Sequence, residues 1–192
     1  MNDGSTESPE GGAFDEIERL RAKIARLEER VRQLDELAHQ DALVPVPNRR
    51  GFLRELEALI GRVSRYGESA AMLFIDIDGL KSINDSFGHT AGDDALVHVA
   101  LTLARGVRKS DCVARLGGDE FGVLLAHASE EIAVETAERL TEQIEADEIL
   151  CDGNRVPLGV AIGVTMIEAG DQPDAVIRRA DHAMYDVKSA AA

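Results

Sequence analysis

Three carboxylates stand where the chain changes direction. Asp76 closes the apolar run that starts at Ala70, and Asp119 and Glu120 follow the glycine pair Gly117-Gly118 between two further apolar runs. Paired glycines between strand-like segments favour a tight turn, because glycine reaches φ > 0 without steric cost and leaves room for a ligand to approach closely. The two acids therefore emerge on a hairpin turn with little side-chain bulk around them. One aspartate at a strand end plus acid from a turn suits a hard divalent cation, which takes a few carboxylates and leaves its other positions to water and phosphate oxygens.

The elements that must carry these acids are legible on either side. The 192 residues suit one domain with a sizeable core plus an appendage. Residues 1–13, rich in Gly, Ser, Glu and Asp, read as a disordered tail. Residues 14–40 read as a coiled-coil helix: Ile17, Leu20, Ile24, Leu27, Val31, Leu34 and Ala38 step alternately by three and four. β-Branched residues at a and leucines at d favour a two-stranded parallel coil. The flanking pairs Glu16 with Arg21, Lys23 with Glu28 and Arg30 with Asp35 are all of opposite sign across such a dimer. An amphipathic helix packed on its own domain is the competing reading of the same stripe. Residues 41–192 form the domain, opened by a linker whose Pro45 and Pro47 stop the helix and whose Asn48 is placed to cap the next.

Within the domain the pattern predicts a helix carrying Phe52, Leu56, Ile60 and Val63, and then a strand from Ala70 to Ile77. A helix burying Leu96, Val99 and Leu103 follows, then the acidic hairpin and a helix from Ser129 to Glu145. A single strand from Val156 to Ile167 and a last helix through Met184 complete the chain. Asp78 is expected to cap a short helix that follows the first strand. Strands and helices alternating around an antiparallel hairpin make an α/β sheet domain.

A net charge of −15 repels phosphate backbones, which argues against non-specific nucleic-acid binding and means that a triphosphate would need a cation here. No apolar run approaches the ~18 residues of a membrane span, and the N-terminus is acidic rather than basic then apolar, so a cytoplasmic protein is expected, with no membrane partner. Cys112 and Cys151 lack metal-ligand spacing and read as small core residues.

Gly117 to Phe121 spells GGDEF, and from Asp41 to Lys188 the chain resembles the diguanylate cyclases that carry this motif. The resemblance implies a palm-like nucleotide-cyclase sheet and condensation of two GTP into cyclic di-GMP and two pyrophosphates, with Mg2+ or Mn2+ as cofactor, two ions per active site. It implies metal binding by Asp76, the Ile77 carbonyl and Asp119, with Glu120 serving the metal or activating the attacking hydroxyl. Asn84 and Asp93 match the family's guanine readers; Lys81, Gly117, Gly118 and Lys188 match its contacts to the substrate's phosphates and backbone approach. Arg108 and Asp111 fit its product-binding RxxD site by their spacing to the motif, with Arg139 as a secondary contact. Taken without the family, Asn84 is a turn residue, Asp93 a helix-start acid and Arg108–Asp111 a surface ion pair. His89 reads as structural. Two departures stand out: Val44 and Pro45 replace threonine and glycine of the family's DxLTGLPNRR segment, and Ser189 to Ala192 stand where glycine, arginine and asparagine usually follow Lys188. The expected activity is therefore a diguanylate cyclase acting as a coiled-coil homodimer, the alternative being a catalytically weak or inactive effector that binds cyclic di-GMP or GTP.

Overall fold

A computed structural model describes residues 9–151 and 153–191. It divides into two compact units at Ala38 and His39.

The first unit is the helix α1 (Pro9–His39). Proline suits a first helical position, where its missing N–H has no partner to lose, and residues 9–13 join the helix instead of the expected tail. The remainder of that tail, 1–8, and the side chain of Leu34 lie outside the described residues. The seam residues Ile17, Leu20, Ile24, Leu27 and Val31 are 46–65% exposed, so the stripe finds no cover within its own unit.

The second unit runs α2 (Arg49–Tyr66), β1 (Ala70–Asp78), α3 (Leu80–Phe87), α4 (His89–Gly106), β2 (Cys112–Gly117), β3 (Glu120–Ala126), α5 (Glu130–Glu145), β4 (Glu148–Cys151), β5 (Asn154–Pro157), β6 (Gly159–Met166) and α6 (Pro173–Ala191). The main sheet has the order β2-β3-β1-β6, with all neighbours antiparallel. Because side chains alternate across a strand, each strand feeds two cores. Ala71, Leu73, Ile75 and Ile77 of β1 meet α3, α4 and α5, while Met72 and Phe74 meet α2 and α6. On the second face Gly163 lets α6 lie directly on β6, since a Cβ there would sit 2.1 Å from the Met184 nitrogen and 2.2 Å from the Ala180 oxygen.

Two expectations are corrected. The single strand over Val156 to Ile167 is two: β5 pairs with β4 in a separate hairpin, and β6 joins the main sheet only from Gly159. Alternation runs unbroken through Pro157 and Leu158, so periodicity could not show that the chain changes partner there. Asp78 does not cap α3; it ends β1 opposite Gly159, and the capping position belongs to Gly79 at φ 67°, with no side-chain bond. The linker belongs to the domain core: Val44 and Val46 are 2% and 3% exposed and part of the larger core. Asn48 does cap α2 as expected, accepting from the N–H groups of Arg50 and Gly51 at 2.9 and 3.1 Å. Cys151 is buried and Cys112 half-buried, and both are free. No helix among the described residues is long and apolar enough to cross a membrane.

Candidate active site

The hairpin turn is held by backbone on both sides. Gly118 takes φ 51°, a left-handed conformation that glycine adopts without strain, and Gly117 precedes it at a break in the β2–β3 register. The Ile77 N–H donates to the Asp119 carbonyl at 3.2 Å, tying the turn to the end of β1. Register then places Asp76 directly across from Glu120. Two acids from segments far apart in sequence thus become cross-strand neighbours, and Asp119 stands beside them.

Arg115 fixes the turn from the other side, a role the sequence reading missed. Its Nε and a terminal nitrogen donate to the Gly118 carbonyl at 3.0 and 2.7 Å, and its other terminal nitrogen lies 3.4 Å from Asp41 in the linker. Burial works against the charge on Asp41, but the N–H groups of Val44 and Leu43, together with Arg115, more than offset it and hold that carboxyl below its usual range. An arginine one residue before an apolar position and a glycine pair was the available signal, since only a planar fork reaches one carbonyl twice and a carboxylate as well.

The acids repel one another. Burial first, then Asp119, Asp181 and Asp76, push the Glu120 carboxyl up, with Arg49 acting in the opposite sense. Asp181, on α6, is a second group that sequence reading did not bring to this site. Lys188, from the same helix, answers the charge: its ammonium bonds to Asp76 and lies 3.4 Å from Asp78, and the Asp76 bond first of all holds it above the ordinary lysine range.

A cleft of about 500 Å³ opens beside this acid site, and Lys81, Asn84, Asp93, Gly118 and Asp119 all line it. The two residues expected to read guanine thus share one concavity with Lys81, Gly118 and Asp119, whereas Asp76, Ile77, Gly117, Glu120 and Lys188 do not line it. Asn84 is set by close packing: a Cβ on Gly92 would fall 2.1 Å from its Oδ1. His89, expected to be structural, is exposed on the lining of the same cleft.

Arg108, Asp111 and Arg139 also come together, around a separate cavity of about 70 Å³. Asp111 is engaged with backbone there: one carboxylate oxygen accepts from the Arg108 N–H at 2.9 Å and the other from the Ala126 N–H at 3.2 Å. Arg139 donates to the Gly106 carbonyl at 2.8 Å. Read without the family as a surface ion pair, Arg108 and Asp111 are joined instead through a side-chain clamp on a turn.

Among the described residues no three Asp, Glu, His or Cys side chains converge closely enough to hold a metal by themselves. The donor set nevertheless fits a hard cation shared with phosphate. Burial first, and then the charges of Asp119, Asp181 and Asp76, disfavour ionisation of Glu120, which a divalent ion would relieve, and such ions need few protein carboxylates.

The family described as "Diguanylate cyclase, GGDEF domain" matches residues 38–192. Diguanylate cyclase TpbB of Pseudomonas aeruginosa strain UCBPP-PA14 is 41% identical over 174 residues, covering 90% of this chain and 40% of the relative. The chain thus spans about two fifths of the length of that curated relative. Among solved structures, the coiled coil and GGDEF domain of DgcB from Caulobacter crescentus, in complex with c-di-GMP, superposes with TM-score 0.83 at 24% identity, over 93% of this chain and 95% of that one. A microbial GGDEF domain described in its interaction with cyclic di-GMP superposes with TM-score 0.68 at 33% identity, over 78% and 92%.

Proposed function

The chain belongs to the GGDEF-domain diguanylate cyclase family, and on that premise we propose that it joins two GTP molecules into cyclic di-GMP. Each 3′ oxygen bonds to the α-phosphorus of the other nucleotide, the hydroxyl proton is lost, and pyrophosphate leaves twice. The observation that carries this reading is the juxtaposition of the cross-strand pair Asp76–Glu120 with a cleft lined by Asp119, Asn84 and Asp93.

Asp93 is suited to accept from guanine N1–H and N2–H, and the Asn84 amide both donates and accepts on the same edge; adenine presents the wrong pattern. Gly118 leaves the turn bare where the nucleotide must come near, and Lys81, exposed on the cleft lining, meets its phosphates. Lys188 is already oriented at the acid site by Asp76, within reach of a phosphate bound there. Two Mg2+ or Mn2+ ions, held by Asp76, Asp119, Glu120 and the Ile77 carbonyl, would supply neutralisation of the α-phosphate and acidification of the 3′ hydroxyl.

One domain presents one GTP, so the reaction requires two chains, and the exposed seam of α1 supports a parallel homodimer as their link. The shared lining of Arg108, Asp111 and Arg139 supports a second site for the product, with the family member that meets cyclic di-GMP as a parallel. A 70 Å³ cavity cannot enclose a dinucleotide, so the product would lie across its mouth. GTP as substrate supports a cytoplasmic position for this domain.

Purified protein supplied with GTP and Mg2+ tests the proposal. Asp119→Ala is expected to fold, by circular dichroism, and to make no cyclic di-GMP; undiminished turnover in that variant removes the acid site from the chemistry. Arg108→Ala is expected to bind cyclic di-GMP at least tenfold more weakly by calorimetry, and unchanged affinity would leave that trio as a turn clamp alone.

A further inference from the structure

The sheet ends at β6, and that edge is open. Ile167 donates to the Ala70 carbonyl at 2.9 Å, so in the antiparallel ladder Thr165, Gly163, Ala161 and Gly159 direct their N–H and C=O groups toward β1. Val160, Ile162, Val164 and Met166 therefore direct theirs away from the sheet. The Met166 carbonyl is taken by Arg179 at 2.9 Å. Among the described residues, the outward groups of Val160, Ile162 and Val164 have no protein hydrogen-bond partner.

The edge lies at the bottom of a groove of about 530 Å³ whose walls are α5 and α6. Val134 and Ala137 on α5, with Ala183 and Val187 on α6, make the walls apolar, and Val134 and Val187 are 41% and 49% exposed. A bare strand edge invites pairing with another chain, and soluble proteins usually blunt it with lysine, proline or a bulge. From Gly159 to Met166 β6 has none of these. Among the described residues, the only charged side chains lining the groove, Glu138 and Glu142, are both acidic and both on α5.

We propose that this groove is a docking site for an extended segment of a protein partner, alternately basic and apolar, that adds a fifth strand beside β6. Main-chain bonds to Val160, Ile162 and Val164 supply the affinity, and alternate side chains supply the choice. One set, basic, faces α5 and meets Glu138 and Glu142; the other, small or branched and apolar, faces Ala183 and Val187. A second copy of this chain fits worse, because pairing β6 with β6 about a two-fold axis puts the same two glutamates of each copy on a shared face.

The probe is a fluorescent hexapeptide of alternating arginine and valine, titrated by anisotropy against the full chain in about 0.15 M salt, where long-range attraction to an acidic protein is screened. It is expected to bind. The block isomer with three valines followed by three arginines, and a version N-methylated at every residue, are expected to bind at least tenfold more weakly. Glu138→Lys with Glu142→Lys is expected to cost at least tenfold, and Val164→Pro to abolish binding while sparing the ladder to β1, because the lost N–H points outward. Equal binding by the blocked or block-sequence peptide, or indifference to the charge reversal, would overturn the proposal. So would loss of self-association in Val164→Pro, which would assign the groove to a second copy.

Discussion

Glu120 shows what the neighbourhood of a residue adds to its type. Its carboxyl is raised by burial and by three other acids, so its ionised form is disfavoured in the folded chain relative to the unfolded one. A carboxyl shifted upward contributes stability when protonated; that contribution is complete below about pH 4 and is lost as pH rises through the raised folded value. At neutral pH Glu120 therefore works against folding. Glu120→Gln should raise the melting temperature at pH 7, with the gain closing as the pH approaches about 4, while cyclase activity is lost; a melting temperature unchanged at pH 7 would contradict the crowding. The sequence was enough to locate this acid, since glycines and flanking apolar runs announce an exposed turn. It was not enough to find Asp181, whose approach depends on how α6 crosses the sheet.

Among the elements, the hairpin and the linker act as one piece through Arg115. Its two bonds to the Gly118 carbonyl and its pairing with Asp41 position the turn on which Asp119 stands. Arg115→Ala should cost about 2 kcal/mol in urea denaturation, the worth of charge-assisted hydrogen bonds at a half-buried site. It should also lower kcat for GTP about tenfold with KM little changed. Arg115→Lys, which keeps charge without the fork, should recover stability better than kcat. Unaltered kcat in both variants would make Arg115 a fold residue only. The hairpin itself was readable because its turn chemistry is local. The β4–β5 hairpin carried a local signal too, since Cys151 pairs with Asn154 and the two residues between them are aspartate and glycine, with Gly153 at φ 80°. The regular alternation continuing into β6 outweighed that signal.

At the scale of the molecule, α1 carries a seam that nothing in its own unit covers, and under the proposed reaction the domain would carry half of a two-substrate site. In the proposed dimer, coil pairing would hold the second site at an effective concentration of roughly a millimolar, whatever the attraction between the domains themselves. Leu20→Lys with Leu27→Lys should give monomers by sedimentation at micromolar concentration and a specific activity that rises with protein concentration. A variant that stays dimeric and fully active on dilution would give the seam another purpose. The seam was legible because heptads repeat; the burial of Val44 and Val46 was not, because a segment with two prolines offers no period to read.

The central strand adds a property of time to this architecture. From Ala70 to Ile75 β1 is 0–3% exposed, with strands bonded to both edges and helices over both faces, so its amides exchange with solvent only when the whole domain unfolds. Asp76 is attached to that slowest-exchanging segment. Asp119 belongs to a surface turn that local opening can release, and the Ile77 amide bonded to its carbonyl marks the border between the two regimes. The acid site therefore keeps two clocks: one half can be reshaped by a passing fluctuation while the other stays fixed for as long as the fold lasts.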